Sequence, residues 1–206
     1  MSVLREIATG IYQWSEFSHE KQLNFNGYYL AHLGESVIID PPFLSDDGLQ
    51  SLHDLIQRKV DNPLKALLLT NVHHGRICQK LKEAFMIPVY IHESDAGALS
   101  FKADYTFKNF DELFCGLKVV HLTNQKSPGE SAFYLEDQKK IFIGDALIGK
   151  TPGKLNLLPS EKFVDINAAR KSLRVLKNYE FDDLLLGDGE AILGKGKEAL
   201  EKLLGN

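Results

Sequence analysis

Four times along this chain a short, unbroken apolar run stops at a compact polar cluster. Val37-Ile38-Ile39 gives way to Asp40-Pro41-Pro42, and Leu67-Leu68-Leu69 to Thr70-Asn71-Val72-His73-His74-Gly75-Arg76. Phe142-Ile143 precedes Gly144-Asp145-Ala146-Leu147, and Leu184-Leu185-Leu186 precedes Gly187-Asp188-Gly189-Glu190. Apolar runs without alternation read as strands covered on both faces. Polar residues just past such strands are where an α/β protein gathers its chemistry, because loops held by a rigid sheet can converge. A fifth cluster, Thr123 to Ser131, joins two further strands.

The pattern between the clusters supplies the covering helices. Leu49, Leu52, Leu55, Ile56 and Val60 recur at helical spacing behind the N-cap candidates Ser45-Asp46-Asp47. Ile77, Leu81, Ala84 and Phe85 mark a second helix, Phe163 to Leu176 a third, and Ala199 to Leu204 a fourth. Strand-type segments at Ile11–Trp14, Tyr28–Leu33, Ser36–Ile39, Pro88–His92, Leu117–Leu122, Ser131–Leu135 and Lys140–Ile143 complete the reading. Each half begins with antiparallel strands and then alternates with helices. Two sheets face to face, with helices outside both, is the layer arrangement this predicts.

The 206 residues fit one domain, 1–206, of ordinary globular composition, with 44% hydrophobic and 25% charged residues. A formal net charge of −4 lacks the basic field that a sequence-independent grip on nucleic acid needs. No apolar run approaches the ~18 residues of a membrane span, and the start, Met1 to Ile7, has no secretory apolar core. Cys78 and Cys115 match no zinc or redox spacing and read as reduced thiols. The expectation is a cytoplasmic protein with neither nucleic acid nor membrane as partner. His19, His32, His53, His92 and His121 read as surface or satisfied strand histidines, and Cys78 as a small buried hydrophobe, although a helix start nearby could lower its pKa.

In order and spacing the five clusters resemble the motifs of the metallo-β-lactamase fold superfamily, from about Ile7 to Leu204. The resemblance implies a four-layer αββα sandwich with the site along one edge of its sheets, and one or two metal ions that activate water for hydrolysis. The family's second motif reads Thr-His-x-His-x-Asp-His; here Asn71, Gly75 and Arg76 replace three ligands and His73 remains. Lys126 stands at the third motif's metal-binding His and Asp188 at the fifth motif's His, while Asp145 keeps the bridging Asp. Asp40 takes the structural role of ordering neighbouring loops.

Arg has donors only and never ligates a metal, and a catalytic zinc needs about three N, O or S ligands. The leading expectation is therefore no cofactor: a pseudoenzyme or binding module whose pocket of Asn71, His73, His74, Arg76, Lys126, Asp145 and Asp188 takes an anionic small molecule. The alternative is a divergent hydrolase with one divalent ion, zinc, manganese or iron, on His73, Asp145 and Asp188. A third reading is metal-free catalysis with His73 as general base and Lys126 stabilising negative charge. If Lys126 and Arg76 neutralise the two carboxylates, Lys126→Ala or Arg76→Ala costs about 3–5 kcal/mol in urea unfolding; unchanged stability in both variants overturns the pairing.

Overall fold

The structure is a computed structural model that describes residues 4–205, so Met1–Val3, the beginning of the segment read as leader-free, lie outside the described residues. Strands β1 (Arg5–Ala8), β2 (Ile11–Ser18), β3 (Leu23–His32) and β4 (Glu35–Ile39) form an antiparallel meander. Helix α1 (Asp46–Arg58) then leads to β5 (Leu64–Leu68), α2 (Cys78–Phe85) to β6 (Val89–His92), and a longer connection to β7 (Tyr105–Phe107). From β4 to β7 the pairing is parallel, giving one seven-stranded sheet in sequence order. The second sheet runs β13-β10-β9-β8, built from β8 (Lys118–His121), β9 (Ser131–Leu135), β10 (Lys140–Ile143) and β13 (Asp183–Leu186). Its β10 and β13 are parallel. A small hairpin, β11 (Ile148–Thr151) and β12 (Lys154–Asn156), and helices α3 (Ile166–Ser172) and α4 (Gly196–Leu204) complete the chain.

Strand alternation explains the layers, because successive side chains leave a strand on opposite faces. Val37 and Ile39 join Tyr28, Leu30, Phe133, Phe142 and Leu185 between the sheets. Ile38, one residue out of step, joins Leu52, Leu55, Cys78 and Leu81 under α1 and α2. Ile141 and Ile143 flank Phe142 and face Leu173, Leu176, Leu200 and Leu204 on the far side. Three apolar layers between four structural layers make the αββα sandwich that the pattern predicts.

The elements depart from expectation in three places. The first helix stops at Arg58, so Val60 is 75% exposed and does not extend the apolar stripe. Phe163 precedes the third helix: Asp165 caps it by accepting from the Asn167 and Ala168 amides, and Leu173–Asn178 tighten into 3₁₀ geometry. The β11–β12 hairpin, Ile148 to Asn156, forms where the sequence reading placed no strand.

The sheets are joined at the end where the clusters lie. Asn26 of β3 is fully buried, and its amide donates to the Leu186 carbonyl at 2.9 Å and the Gly189 carbonyl at 2.7 Å. Its backbone N–H donates to the Gly187 carbonyl, and the Tyr28 hydroxyl to the Leu186 carbonyl at 2.6 Å. This clasp holds the Asp188 turn against the first sheet. Asn26→Ala removes the side-chain donor to the Gly189 carbonyl and one of the two donors to Leu186, and is expected to cost about 1–3 kcal/mol in urea unfolding; an unchanged midpoint would show that the side chain's part of the clasp contributes nothing.

Candidate functional site

Parallel β4, β5, β10 and β13 bring Asp40, Thr70–Arg76, Asp145 and Asp188 to one end of the sandwich. Asp40 sits at φ 49°, just past β4. Its carboxylate accepts from the Thr70 amide at 2.8 Å and from the Thr70 hydroxyl at 2.6 Å. Asn71 then starts a 3₁₀ turn, Val72–His74, through its Oδ1, which accepts from the His73 amide at 2.8 Å. With about three residues per turn, consecutive side chains diverge, and the two histidines have different surroundings. His73 is exposed, whereas His74 is wholly enclosed.

His74 lies between carboxylates: Nδ1 is 2.8 Å from Asp40 Oδ2, and Nε2 is 3.4 Å from Asp145 Oδ1 without hydrogen-bond alignment. Burial works against its charge, but Asp40 and Asp145 outweigh it and raise the imidazole pKa to about 10. Glycines admit the ring and its neighbours. A Cβ on Gly187 would stand 2.6 Å from His74 Cε1, and one on Gly144 would stand 2.2 Å from Thr70 Oγ1.

Two further cations meet two carboxylates beside it. Lys126 Nζ is 2.6 Å from Asp145 Oδ2, and Arg76 Nη2 is 3.3 Å from Asp188 Oδ1. The Arg76 guanidinium lies 4.2 Å from the centre of the Phe25 ring, a cation–π contact that fixes its plane. Burial pushes the Asp145 carboxyl up, but His74 and Lys126 hold it below the usual range. Burial raises Asp188, against the pull of His74 and Arg76. Burial and the neighbouring Asp145 push the Glu130 carboxyl well above its ordinary value. Asp40, Asp145 and Asp188 are each in contact with a cationic partner, His74, Lys126 and Arg76 respectively. Lys126 and Arg76 keep an edge in water, with side chains 26% and 18% exposed, which sets the cost of removing either at the low end of the range given above.

The cluster floors a cavity of about 470 Å³, within the size range of small-molecule sites. Of the expected pocket residues, His73, His74, Arg76, Lys126, Asp145 and Asp188 line it; Asn71 is buried behind the wall. The lining is completed by Glu20, Lys21, Leu23, Ile148, Leu158, Pro159 and Lys162, which carry no motif signal and meet only when the β2–β3 turn and the segment after β12 fold over the floor. Lys150 reaches this cavity, whereas Lys154 lines a separate one with Lys202. Burial pushes the Cys78 thiol well up, which excludes a lowered pKa. His73 is held below the ordinary imidazole value by burial and by Lys126.

Across the chain, residues 4–206 match the family model for the metallo-beta-lactamase superfamily, and the protein belongs to that family. Similar solved structures include the DIM-1 metallo-beta-lactamase, at 20% identity and a TM-score of 0.79, covering 98% of this chain and 96% of that one. The metallo-beta-lactamase from Pontibacter korlensis is 17% identical, with a TM-score of 0.78 and 99% of both chains covered. The metallo-beta-lactamase from Hirschia baltica is 10% identical, with a TM-score of 0.76 and coverage of 98% and 97%. These likenesses bear on the fold. Among curated proteins no sequence matches this chain.

By the resemblance, Asn71, Gly75, Arg76 and Lys126 stand where the family's two-ion centre has ligands, and none of them offers an imidazole or a carboxylate; a Cβ on Gly75 would stand 3.0 Å from Leu99 Cδ2 and 3.5 Å from Phe101 Cε1, so apolar side chains pack over that position. One group among the described residues has single-ion spacing: His74, Asp145 and Asp188, whose potential ligand atoms lie within 4.8 Å of one another. It contains His74 where the sequence alternative had His73. No described helix is long and apolar enough to cross a membrane.

The raised His74 pKa sets a pH dependence. Its stabilisation is fully present below the unfolded value near 6.5 and is lost as pH rises through about 10. Asp145, depressed in the fold, contributes above the ordinary carboxylate value and loses that contribution in acid. Unfolding free energy in metal-free buffer is therefore expected to decline between pH 7 and 10, and less steeply in His74→Gln. Equal slopes for the two proteins would contradict a charged His74.

Proposed function

We propose that this protein is a metal-independent member of its family, a pseudoenzyme or binding module whose cavity takes an anionic small molecule. The observation that carries the reading is the contact of Lys126 with Asp145, 2.6 Å long, in a floor where three cations match three carboxylates. A divalent ion placed there would meet an ammonium and a guanidinium at close range. Opposed unit charges about 4 Å apart interact by about 4 kcal/mol at an effective dielectric near 20, and like charges repel equally.

One unpartnered donor of the lining points the same way. Among the described residues, Arg76, which lines the cavity, has a buried Nη1 without an acceptor. Such a donor receives an anionic or carbonyl oxygen and has nothing to offer a cation. Lys150 and Lys162, exposed at the mouth, make no salt bridge among the described residues and add positive charge there, with Glu20 near enough to feel Lys162. The cytoplasm as compartment and the lack of a nucleic-acid partner rest on charge and cysteine usage alone.

A second reading keeps one divalent ion on His74, Asp145 and Asp188. It is favoured by their spacing and by His74 Nε2, which has no hydrogen-bond partner while Nδ1 faces Asp40. Such an ion would supply Lewis-acid activation of a water, and Asp40 would orient the imidazole as carboxylates orient metal-binding histidines.

Elemental mass spectrometry of untagged protein purified without chelator separates the two. Less than about a tenth of an equivalent of metal, with a melting temperature raised by millimolar phosphate and a smaller rise in Lys150→Glu/Lys162→Glu, is the expected result. A near-stoichiometric ion that is lost in Asp188→Asn establishes the second reading instead.

A further inference from the structure

Asp95 belongs to no motif, lines no part of the cavity and is fully buried, yet its carboxylate reaches both loops that carry the cationic wall. Oδ2 accepts from the Val72 amide at 2.9 Å and from the Ser127 hydroxyl. Oδ1 accepts from the Gly129 amide at 2.8 Å. Val72 follows β5 of the first sheet and precedes His73; Ser127 and Gly129 precede β9 of the second sheet and flank Lys126 closely. Asp95 itself stands past β6, in a turn closed by its amide donating to the His92 carbonyl at 2.9 Å.

We infer that Asp95 is the positioning residue of this pocket, setting where Lys126 stands relative to His73 and Asp145 without touching a ligand. The inference deepens the binding-pocket reading and rests on it for the affinity arm of the test. Asp145 also touches both loops, through the side chains of His74 and Lys126, but among the described residues Asp95 is the side chain that accepts from the backbone amides of both. Other ties hold the loops elsewhere. Ser131 N–H donates to the Thr70 carbonyl at their base, and the Gln125 amide donates to the Ala169 carbonyl and Ser172 hydroxyl of the α3 layer. His121 meets the Pro128 carbonyl at the loop apex. None of these fixes the span between the Val72–His74 turn and Lys126.

The fit is close enough to constrain the neighbours. A Cβ on Gly129 would lie 2.6 Å from the Asp95 carboxyl carbon, so the backbone approaches the carboxylate where a side chain cannot. A buried carboxylate taking three donors is also hard to replace by its amide. An Asn has one acceptor oxygen, and its NH₂ would face the Gly129 or Val72 N–H, donor against donor.

The test uses the Lys126 ammonium as reporter. Held on Asp145, its ¹⁵N–¹H resonance is expected to be visible at low temperature and neutral pH, assigned by its loss in Lys126→Arg. In Asp95→Asn, and more weakly in Ser127→Ala, that signal is expected to broaden beyond detection or shift while circular dichroism shows a folded chain. Phosphate, measured by calorimetry at the same temperature, is expected to bind about 5- to 10-fold more weakly in Asp95→Asn. A merely structural Asp95 would lower the melting temperature and leave the folded protein's Lys126 signal unmoved.

An unchanged signal in both variants overturns the inference; if Asp95→Asn does not fold, Ser127→Ala alone decides. Should wild-type protein not bind phosphate, the binding reading fails, while a displaced Lys126 signal still upholds Asp95.

Discussion

Everything at this end of the sandwich depends on how three buried carboxylates are neutralised. Asp40, Asp145 and Asp188 sit at strand ends where little water reaches them, and an isolated ionised carboxylate there would be prohibitively costly. His74, Lys126 and Arg76 meet them, and burial pushes the nearby Glu130 carboxyl well above its ordinary value. The arrangement then governs its surroundings: Gly187 must be bare for the imidazole to enter, Gly144 bare for Thr70 and Asn71 to close up, and Phe25 flat for Arg76 to lie on.

Breaking a buried pair by removing one partner costs more than forming it ever contributed, because the survivor keeps its charge without its counter-ion. The ion pairs therefore fix the shape of the floor, and the β2–β3 turn and the Leu158–Lys162 stretch lie above it. Those segments bring apolar and cationic side chains and one acidic side chain to the cavity. On the binding-pocket reading, selectivity is set at this rim.

Much of the fold was legible because continuous apolar runs mark doubly covered strands, and the polar clusters mark their ends. Helix stops and short edge strands were harder. Nothing in Arg5–Ala8 or Tyr105–Phe107 alternates strongly, and both pair at sheet edges where burial is partial. In the site, motif spacing pointed to His73 as the metal-site histidine, and the cluster contains His74 instead. Two adjacent histidines are indistinguishable in a linear pattern; only the tight turn begun by Asn71 decides which one faces inward. Asp95 left no trace in the sequence because its partners are mostly backbone amides, which every residue type supplies.

The packing of Leu99 and Phe101 against Gly75 has a consequence for what substitution can add here. A side chain at Gly75 would begin with its Cβ 3.0 Å from Leu99 Cδ2 and 3.5 Å from Phe101 Cε1, so Leu99 would have to yield by a few tenths of an ångström before an acidic residue could stand there. On the metal-independent reading, a two-ion site would also need Lys126 and Arg76 exchanged, and the acquisition of such a site by this chain would be a matter of several coupled substitutions rather than one.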